Sequence, residues 1–211
     1  MNFTEWEPIY TEIIKDFGFS RDADEESARL LSTMLDKKES GMIYRQIEQK
    51  IAAKSVIVCG KAAILVKDLK NIVLKDKTII AADGATSLLL NIDLSPDIIV
   101  TDLDGNIDDI LMAEERGSLI VIHAHGDNID KIKKYVPKFK NVIGTTQSSP
   151  FDNIYNFGGF TDGDRCVFLA KHFGAREIIL AGFDFEDQTV TDRKRKKLEW
   201  AKRLLIILGV V

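Results

Sequence analysis

The sequence predicts an α/β domain of Rossmann-like type, with a mostly parallel sheet of about six strands flanked by helices and preceded by an N-terminal helical segment. Two observations carry this. Six short runs rich in Val and Ile recur after residue 55, each apolar on both faces, as strands buried on both sides are. Between them lie stretches with helical spacing, at intervals of about one βα unit. The chain therefore divides into a helical segment over 1–52 and an α/β domain over 53–211.

The helical segment comes first. Trp6, Ile9, Tyr10, Ile13, Ile14 and Phe17 fall at i, i+3, i+4, i+7, i+8 and i+11, one face of a helix. Thr4 and Glu7 match a capping box, with Pro8 placed in the first turn. A second helix, from near Asp22, turns Ala28, Leu31 and Leu35 inward. A third does so with Ile43, Ile47 and Ile51. No chemistry is legible in this segment.

The strands follow as SVIVCG, TIIAADG, DIIVTDLDG, LIVIHAHGD, NVIGTTQ and EIILAGFDF, with helical stretches such as NIDDILMAEERG and NIDKIKKYVP between them.

The bulk numbers fit one soluble domain. Of 211 residues, 45% are apolar and 29% charged, and the net charge of −4 offers no general attraction to nucleic acid or to an anionic membrane. Cys59 and Cys166 are the only cysteines and lie far apart, so a reduced, cytoplasmic setting is expected. The first residues carry acids early and lack the apolar core of a signal peptide. No stretch approaches the ~20 apolar residues that span a bilayer.

Ligands of parallel α/β sheets bind beyond the carboxyl ends of the strands. There the sequence places Cys59-Gly60, Asp83-Gly84, Asp102-Leu103-Asp104-Gly105, His123-Ala124-His125-Gly126-Asp127, Gly144-Thr145-Thr146-Gln147 and Gly182-Phe183-Asp184. On an extended chain Asp102 and Asp104 point the same way and repel unless a cation lies between them. Oxygen donors of this kind suit Mg²⁺. Asp83 and Asp127 could complete the set; equally, each could cap the helix that follows its strand. His123 and His125 form H-x-H, but the only other histidine, His172, sits in a helical stretch, so zinc is disfavoured. His125 is read as a hydrogen-bond donor to phosphate or substrate, and His123 equally as a buried polar group.

Three further stretches are candidates. In GGFTDGDR, Asp162 and Asp164 flank Gly163 at a helix start, where Asp164 could bind a ligand or serve as a cap. Thr145 and Thr146 offer hydroxyls, or form an ordinary polar turn. The run Arg193 to Lys197 opens the last helix, and from it Lys194 and Lys197 could reach a polyphosphate; most such runs are only solvated faces. Neither a P-loop nor G-x-G-x-x-G is present.

With VIVCG (56–60), AADGAT (81–86), PDIIVTDLDGN (96–106), HAHGDN (123–128), GGFTDGDR (158–165) and AGFDF (181–185) in this order, the chain resembles the archaeal 6-hydroxymethyl-7,8-dihydropterin pyrophosphokinases, which share a catalytic core with thiamin pyrophosphokinases. The likeness covers about residues 50 to 200. One departure stands out: relatives in the wider superfamily often carry a G-x-G-P-S-like turn where this chain reads Cys59-Gly60-Lys61-Ala62-Ala63, and Lys61 could compensate by charge.

The resemblance implies Mg²⁺-dependent transfer of pyrophosphate from ATP to the hydroxymethyl group of the pterin, leaving AMP, in methanopterin-type or folate-type pterin synthesis. It implies that Asp102, Asp104 and Asp127 hold Mg²⁺, supported by Asp83, and that His125 and Asn128 contact phosphate. Thr145, Thr146, Asp162 and Asp164, with Gly84, line the nucleotide or pterin pocket. The expected partners are ATP and a small pterin, and a homo-oligomer is plausible. Two other functions stay open. One is thiamin pyrophosphokinase, which typically adds a β-domain for which this chain has no room. The other is a nucleotide-binding module without turnover.

Overall fold

The computed structural model describes residues 1–211. Three helices come first: α1 (Phe3–Phe17), α2 (Arg21–Met34) and α3 (Lys37–Ile51). The strands β1 (Ser55–Cys59), β2 (Thr78–Ala82), β3 (Ile98–Thr101), β4 (Leu119–Ala124) and β5 (Val142–Thr146) are joined by α4 (Leu65–Leu69), α5 (Ala85–Leu90), α6 (Ile107–Glu115) and α7 (Ile129–Tyr135). A short strand β6 (Ile154–Tyr155), then α8 (Asp162–His172), β7 (Glu177–Ala181) and α9 (Asp192–Ile207), complete the chain.

The sheet has seven parallel strands in the order β6-β5-β4-β3-β2-β1-β7. The expectation was about six. The extra strand, β6, has two residues, too few for a run or a period to stand out. From β1 to β6 the chain steps in one direction. It then reverses, and α8 crosses β3, β2 and β1 to deliver β7 beside β1. A sheet that reverses its order in this way opens a crevice at the carboxyl ends of the strands.

Alternate strand residues feed two cores. Ile57, Ile79, Ile99 and Ile120 pack with α4 to α7 and with Ala28 and Leu31 of α2. Val56, Val58, Ile80 and Ile98 pack with Ile43, Ile47 and Ile51 of α3 and with α8. Each such fully buried side chain contributes roughly 1.5–3 kcal/mol over an exposed one. Every residue of β1, β2, β3, β4 and β5 is buried. The sheet is thus covered on both faces, as the apolar runs required. Cys59 and Cys166 are buried and unpaired, and burial pushes the Cys59 thiol up to about 12.

A third cluster binds the first helix to the last. Trp6, Tyr10 and Ile13 meet Phe160, Phe168, Trp200 and Leu204. Asp16 adds a polar clasp, accepting from Trp200 Nε1 at 2.7 Å and pairing with Lys196 at 2.6 Å. The α1 cap differs from the expectation. Asn2 accepts from Glu5 N at 3.0 Å, and Glu5 accepts from Asn2 N at 2.7 Å. Asn is as good a cap as Thr, so the helix starts two residues earlier. Pro8 then falls in the second turn, where one helical hydrogen bond is lost.

Candidate active site

A cleft of about 860 Å³ opens at the carboxyl edge of the sheet. Its floor is built by the ends of β1, β2, β3, β4 and β7 and by the start of α8. At the β1/β7 junction the backbone is pressed together. A Cβ on Gly60 would lie 2.4 Å from the Gly182 carbonyl oxygen, and one on Gly182 equally close to that of Gly60. No side chain fits at either position.

Oxygens of Asp83, Asp102 and Asp162 lie within 4.8 Å of one another, all in the cleft lining. Each is set by a different element. Asp83 follows β2 with φ of +27°. It accepts from the hydroxyl of Thr101, which in turn accepts from Leu103 N at 2.8 Å. Burial pushes the Asp83 carboxyl up to about 6, against the hydrogen bonds from Thr101 and Gly105, and the charge of Asp102 adds to the rise. Asp102 follows β3. Burial would raise its carboxyl too, but the nearby His125 and the charge of Arg165 outweigh burial and hold it at about 2. Asp162 opens α8, with Oδ1 3.0 Å from Arg165 Nη1. Burial, then the charge of Asp102, drives its carboxyl well above the usual range. Burial first, and the charge of Asp102 after it, leave two reluctant carboxyls beside one that His125 and Arg165 keep ionised.

The expected metal set of Asp102, Asp104 and Asp127 is not the set that converges. Only Asp102 belongs to the cluster. The reason lies in Leu103, whose φ of +68° breaks the extended chain that would have aimed Asp102 and Asp104 alike. Asp102 Oδ1 instead accepts from Asp104 N at 3.2 Å, while the exposed Asp104 side chain pairs with Lys131. Asp127 lies on the cleft rim, also exposed.

His125 borders the cleft with Nε2 3.6 Å from Asp102 Oδ2. Its Nδ1 accepts from Asp127 N at 3.3 Å, which leaves the proton on Nε2, facing the carboxylate. His123 is buried. Thr145 Oγ1 donates to Ile122 O at 3.1 Å and lies 3.1 Å from His123 Nδ1, so that nitrogen is the donor and Nε2 is left without a partner. Burial, then the charge of Arg165, holds the His123 imidazole well below its ordinary range.

Four other expected residues stand behind the cleft rather than in it. Asn128 is 1% exposed. Its amide donates to Asp102 O at 3.0 Å and His123 O at 2.7 Å, and its Oδ1 accepts from His125 N at 3.1 Å. It therefore clamps the ends of β3 and β4. Thr145 serves His123, and Thr146 lies 3.0 Å from Ser148 Oγ. Asp164 is not the N-cap, which is Thr161; from the third position of a helix that already begins at Asp162 it accepts from Phe160 N at 3.0 Å and Thr161 N at 2.6 Å, and burial pushes its carboxyl up to about 6.

Gly84, Lys194 and Lys197 do line the cleft. A Cβ on Gly84 would lie 2.7 Å from Lys61 Cδ, so the glycine lets Lys61 lie across it. Burial lowers the Lys197 ammonium, and its Nζ sits 5.9 Å from the Phe160 ring centre. The structure adds lining residues that the sequence does not single out: Lys131, Arg165, Gln147, Asp24 and the aromatic rings of Phe19, Phe160, Phe183 and Phe185. Lys131 and Asp24 lie inside helices, where a charged residue reads as surface. Phe183 and Phe185 stood in the quoted AGFDF, where alternation alone could have flagged them.

The profile of the family described as "6-hydroxymethylpterin diphosphokinase MptE-like" matches residues 29–189. The chain belongs to this family. Three archaeal relatives are each named 6-hydroxymethyl-7,8-dihydropterin pyrophosphokinase. That of Methanothermobacter thermautotrophicus is 46% identical over 97% of this chain and 94% of its own. Those of Pyrococcus furiosus and Methanocaldococcus jannaschii are 45% and 43% identical, over 97% of this chain and 93% and 95% of theirs. Among solved structures, the Maf glycosyltransferase of Magnetospirillum magneticum AMB-1 overlaps 74% of this chain and 29% of its own at TM-score 0.47 and 14% identity, too slight a likeness to inform function. No helix of this MptE-like chain is long and apolar enough to cross a membrane.

Proposed function

We propose that the chain transfers the β,γ-pyrophosphoryl group of ATP to the hydroxymethyl oxygen of 6-hydroxymethyl-7,8-dihydropterin. The single observation that carries this is the meeting of Asp83, Asp102 and Asp162 within 4.8 Å in a cleft also lined by Lys61, Lys131, Arg165, Lys194 and Lys197. Relatives 43–46% identical over nearly their whole length bear the corresponding name, which supports the choice of acceptor.

The oxygen-only donor set fits a hard divalent cation, and the raised carboxyls of Asp83 and Asp162 are what such a charge would relieve. Asp83, Asp102 and Asp162 would hold Mg²⁺, with Asp104 and Asp127 at the rim. Bound there, the ion supplies charge stabilisation to phosphoryl oxygens.

The chain's own residues do the rest. The cations of the cleft neutralise the triphosphate. His125 keeps a positive edge against Asp102 and so keeps that carboxylate ionised. The aromatic rings offer flat apolar faces to a heterocycle. The acceptor oxygen forms its bond to the β-phosphorus and gives up its proton. The bond between the β-phosphorus and the α-phosphate oxygen breaks, and AMP leaves. Positioning and charge account for most catalysis in such transfers.

The test mixes the protein with ATP, Mg²⁺ and the pterin and resolves AMP from ADP, with thiamin as a parallel acceptor. Pterin-dependent AMP is expected. ATP binding without AMP from either acceptor would replace this reading with a nucleotide-binding module.

A further inference from the structure

The helical segment forms a wall of the cleft through Gly18, Phe19, Ser20, Ala23 and Asp24. Asp24 is the unusual member. It is a carboxylate only 3% exposed, in the first turn of α2. It does not cap its own helix, because Ser20 does that, accepting from Ala23 N at 3.3 Å. A buried carboxylate is costly unless its oxygens are occupied. Here Oδ2 accepts from Tyr10 Oη and from Gln147 Nε2, each at 2.7 Å, and Oδ1 accepts from the Gly126 backbone N at 2.8 Å.

Tyr10 and Gln147 hold one Asp24 oxygen, and the other holds the start of one short turn, Gly126–Asn128. One helical turn beyond Asp24, Ser27 Oγ lies 3.2 Å from Asn128 Oδ1 and donates to it. Gly126 is also pressed onto the start of α2, since a Cβ there would lie 2.7 Å from Ala23 Cβ. Helix α2 therefore grips the turn at both ends. The turn in turn sets His125, through its backbone bond to Asn128 and its Nδ1 bond to Asp127 N.

We propose that Asp24 is a positioning residue. It fixes the Gly126–Asn128 turn, and through it holds the His125 imidazole against Asp102 in the geometry that transfer needs. This rests on the pyrophosphoryl transfer proposed above, and it makes the helical segment part of the catalytic apparatus.

The test compares wild type with Asp24→Ala, Asp24→Asn and Asp16→Asn. The last loosens α1 from α9 without touching the turn. In Asp24→Ala, kcat falls by about 100-fold, as small misplacements of catalytic groups do, while KM for ATP shifts by less than about threefold. Asparagine still accepts from Gly126 N, and its amide can face Tyr10 Oη and a flipped Gln147, so Asp24→Asn recovers kcat to within about tenfold of wild type. Deuterium uptake across 119–131 rises in Asp24→Ala and stays at the wild-type level in Asp16→Asn. If Asp24→Ala does not fold, Ser27→Ala carries the test, with a loss of about tenfold in kcat. An Asp24→Ala protein with normal kcat overturns the proposal. So does a loss matched by Asp16→Asn at equal melting temperature. A wild type that releases no AMP defeats the transfer reading instead, and unchanged deuterium uptake in Asp24→Ala then separately defeats the hold of Asp24 on the turn.

Discussion

Replacing Gly105 by alanine isolates the acidic cluster from everything else in the cleft. A Cβ at that position would lie 2.8 Å from Asp83 Oδ2 and 2.9 Å from Oδ1. Ordinary carbon–oxygen contacts are longer by roughly 0.5 Å, so one partner must move. Gly105 has no positive φ, and the substitution adds no backbone strain of its own. The strain falls on a carboxylate that cannot retreat freely, because Thr101 holds Oδ1 and the Asp83 backbone already sits at φ +27°. Asp83 is then displaced from Asp102 and Asp162. A shift of this size at a reacting centre lowers kcat by about 30- to 100-fold, or ~2–2.7 kcal/mol of transition-state stabilisation. The assay is AMP release at saturating ATP and pterin across a Mg²⁺ titration, with the melting temperature measured alongside. The Mg²⁺ concentration for half-maximal rate should rise while the fold survives. Turnover within twofold of wild type at ordinary Mg²⁺ would refute the role given to Asp83.

Two further outcomes follow from the same geometry. Asp102→Asn should lower kcat by about 10²–10³-fold and abolish Mg²⁺-induced thermal stabilisation, whereas Asp104→Asn, exposed and paired with Lys131, should stay within about tenfold of wild type; the reverse order would restore the D-x-D pair as the metal site. Because burial keeps His123 neutral in the folded protein, only the unfolded chain takes up its proton as pH falls below the ordinary histidine range of about 6.5. Stability on its account is present above that pH and lost below it, at up to about 1.4 kcal/mol per pH unit. His123→Gln should flatten the fall in urea-unfolding free energy between pH 6.5 and 5.5, and an unchanged slope would show that the imidazole is not kept neutral.

Most of the fold was legible because its signals are local. The period of α1 and the two-sided apolar strands follow directly from which faces are covered, and the burial of Trp6, Tyr10, Ile47 and Val58 bears this out. The site was legible as an edge but not as a constellation. Asp83, Asp102 and Asp162 come from three separate elements, and no spacing rule links them. Asp102 and Asp104 would point alike only on an extended backbone, and the left-handed Leu103 between them breaks it. Asn128, Thr145 and Asp164 had the right chemistry for a ligand, but their hydrogen bonds go to the protein itself. Asp24 was invisible because an acid in the first turn of a helix needs no other explanation.

The close approach of Gly60 and Gly182 has a bearing on synthesis. The last strand docks against the first, so the cleft closes only after everything between them has been translated. A nascent chain ending before β7 would contain every acid of the cluster yet lack the Gly182 backstop and the rings of Phe183 and Phe185. Emergence of β7 from the ribosome closes the sheet, and α9 behind it brings Lys194 and Lys197 to the cleft, so the site is assembled only as the end of the chain appears.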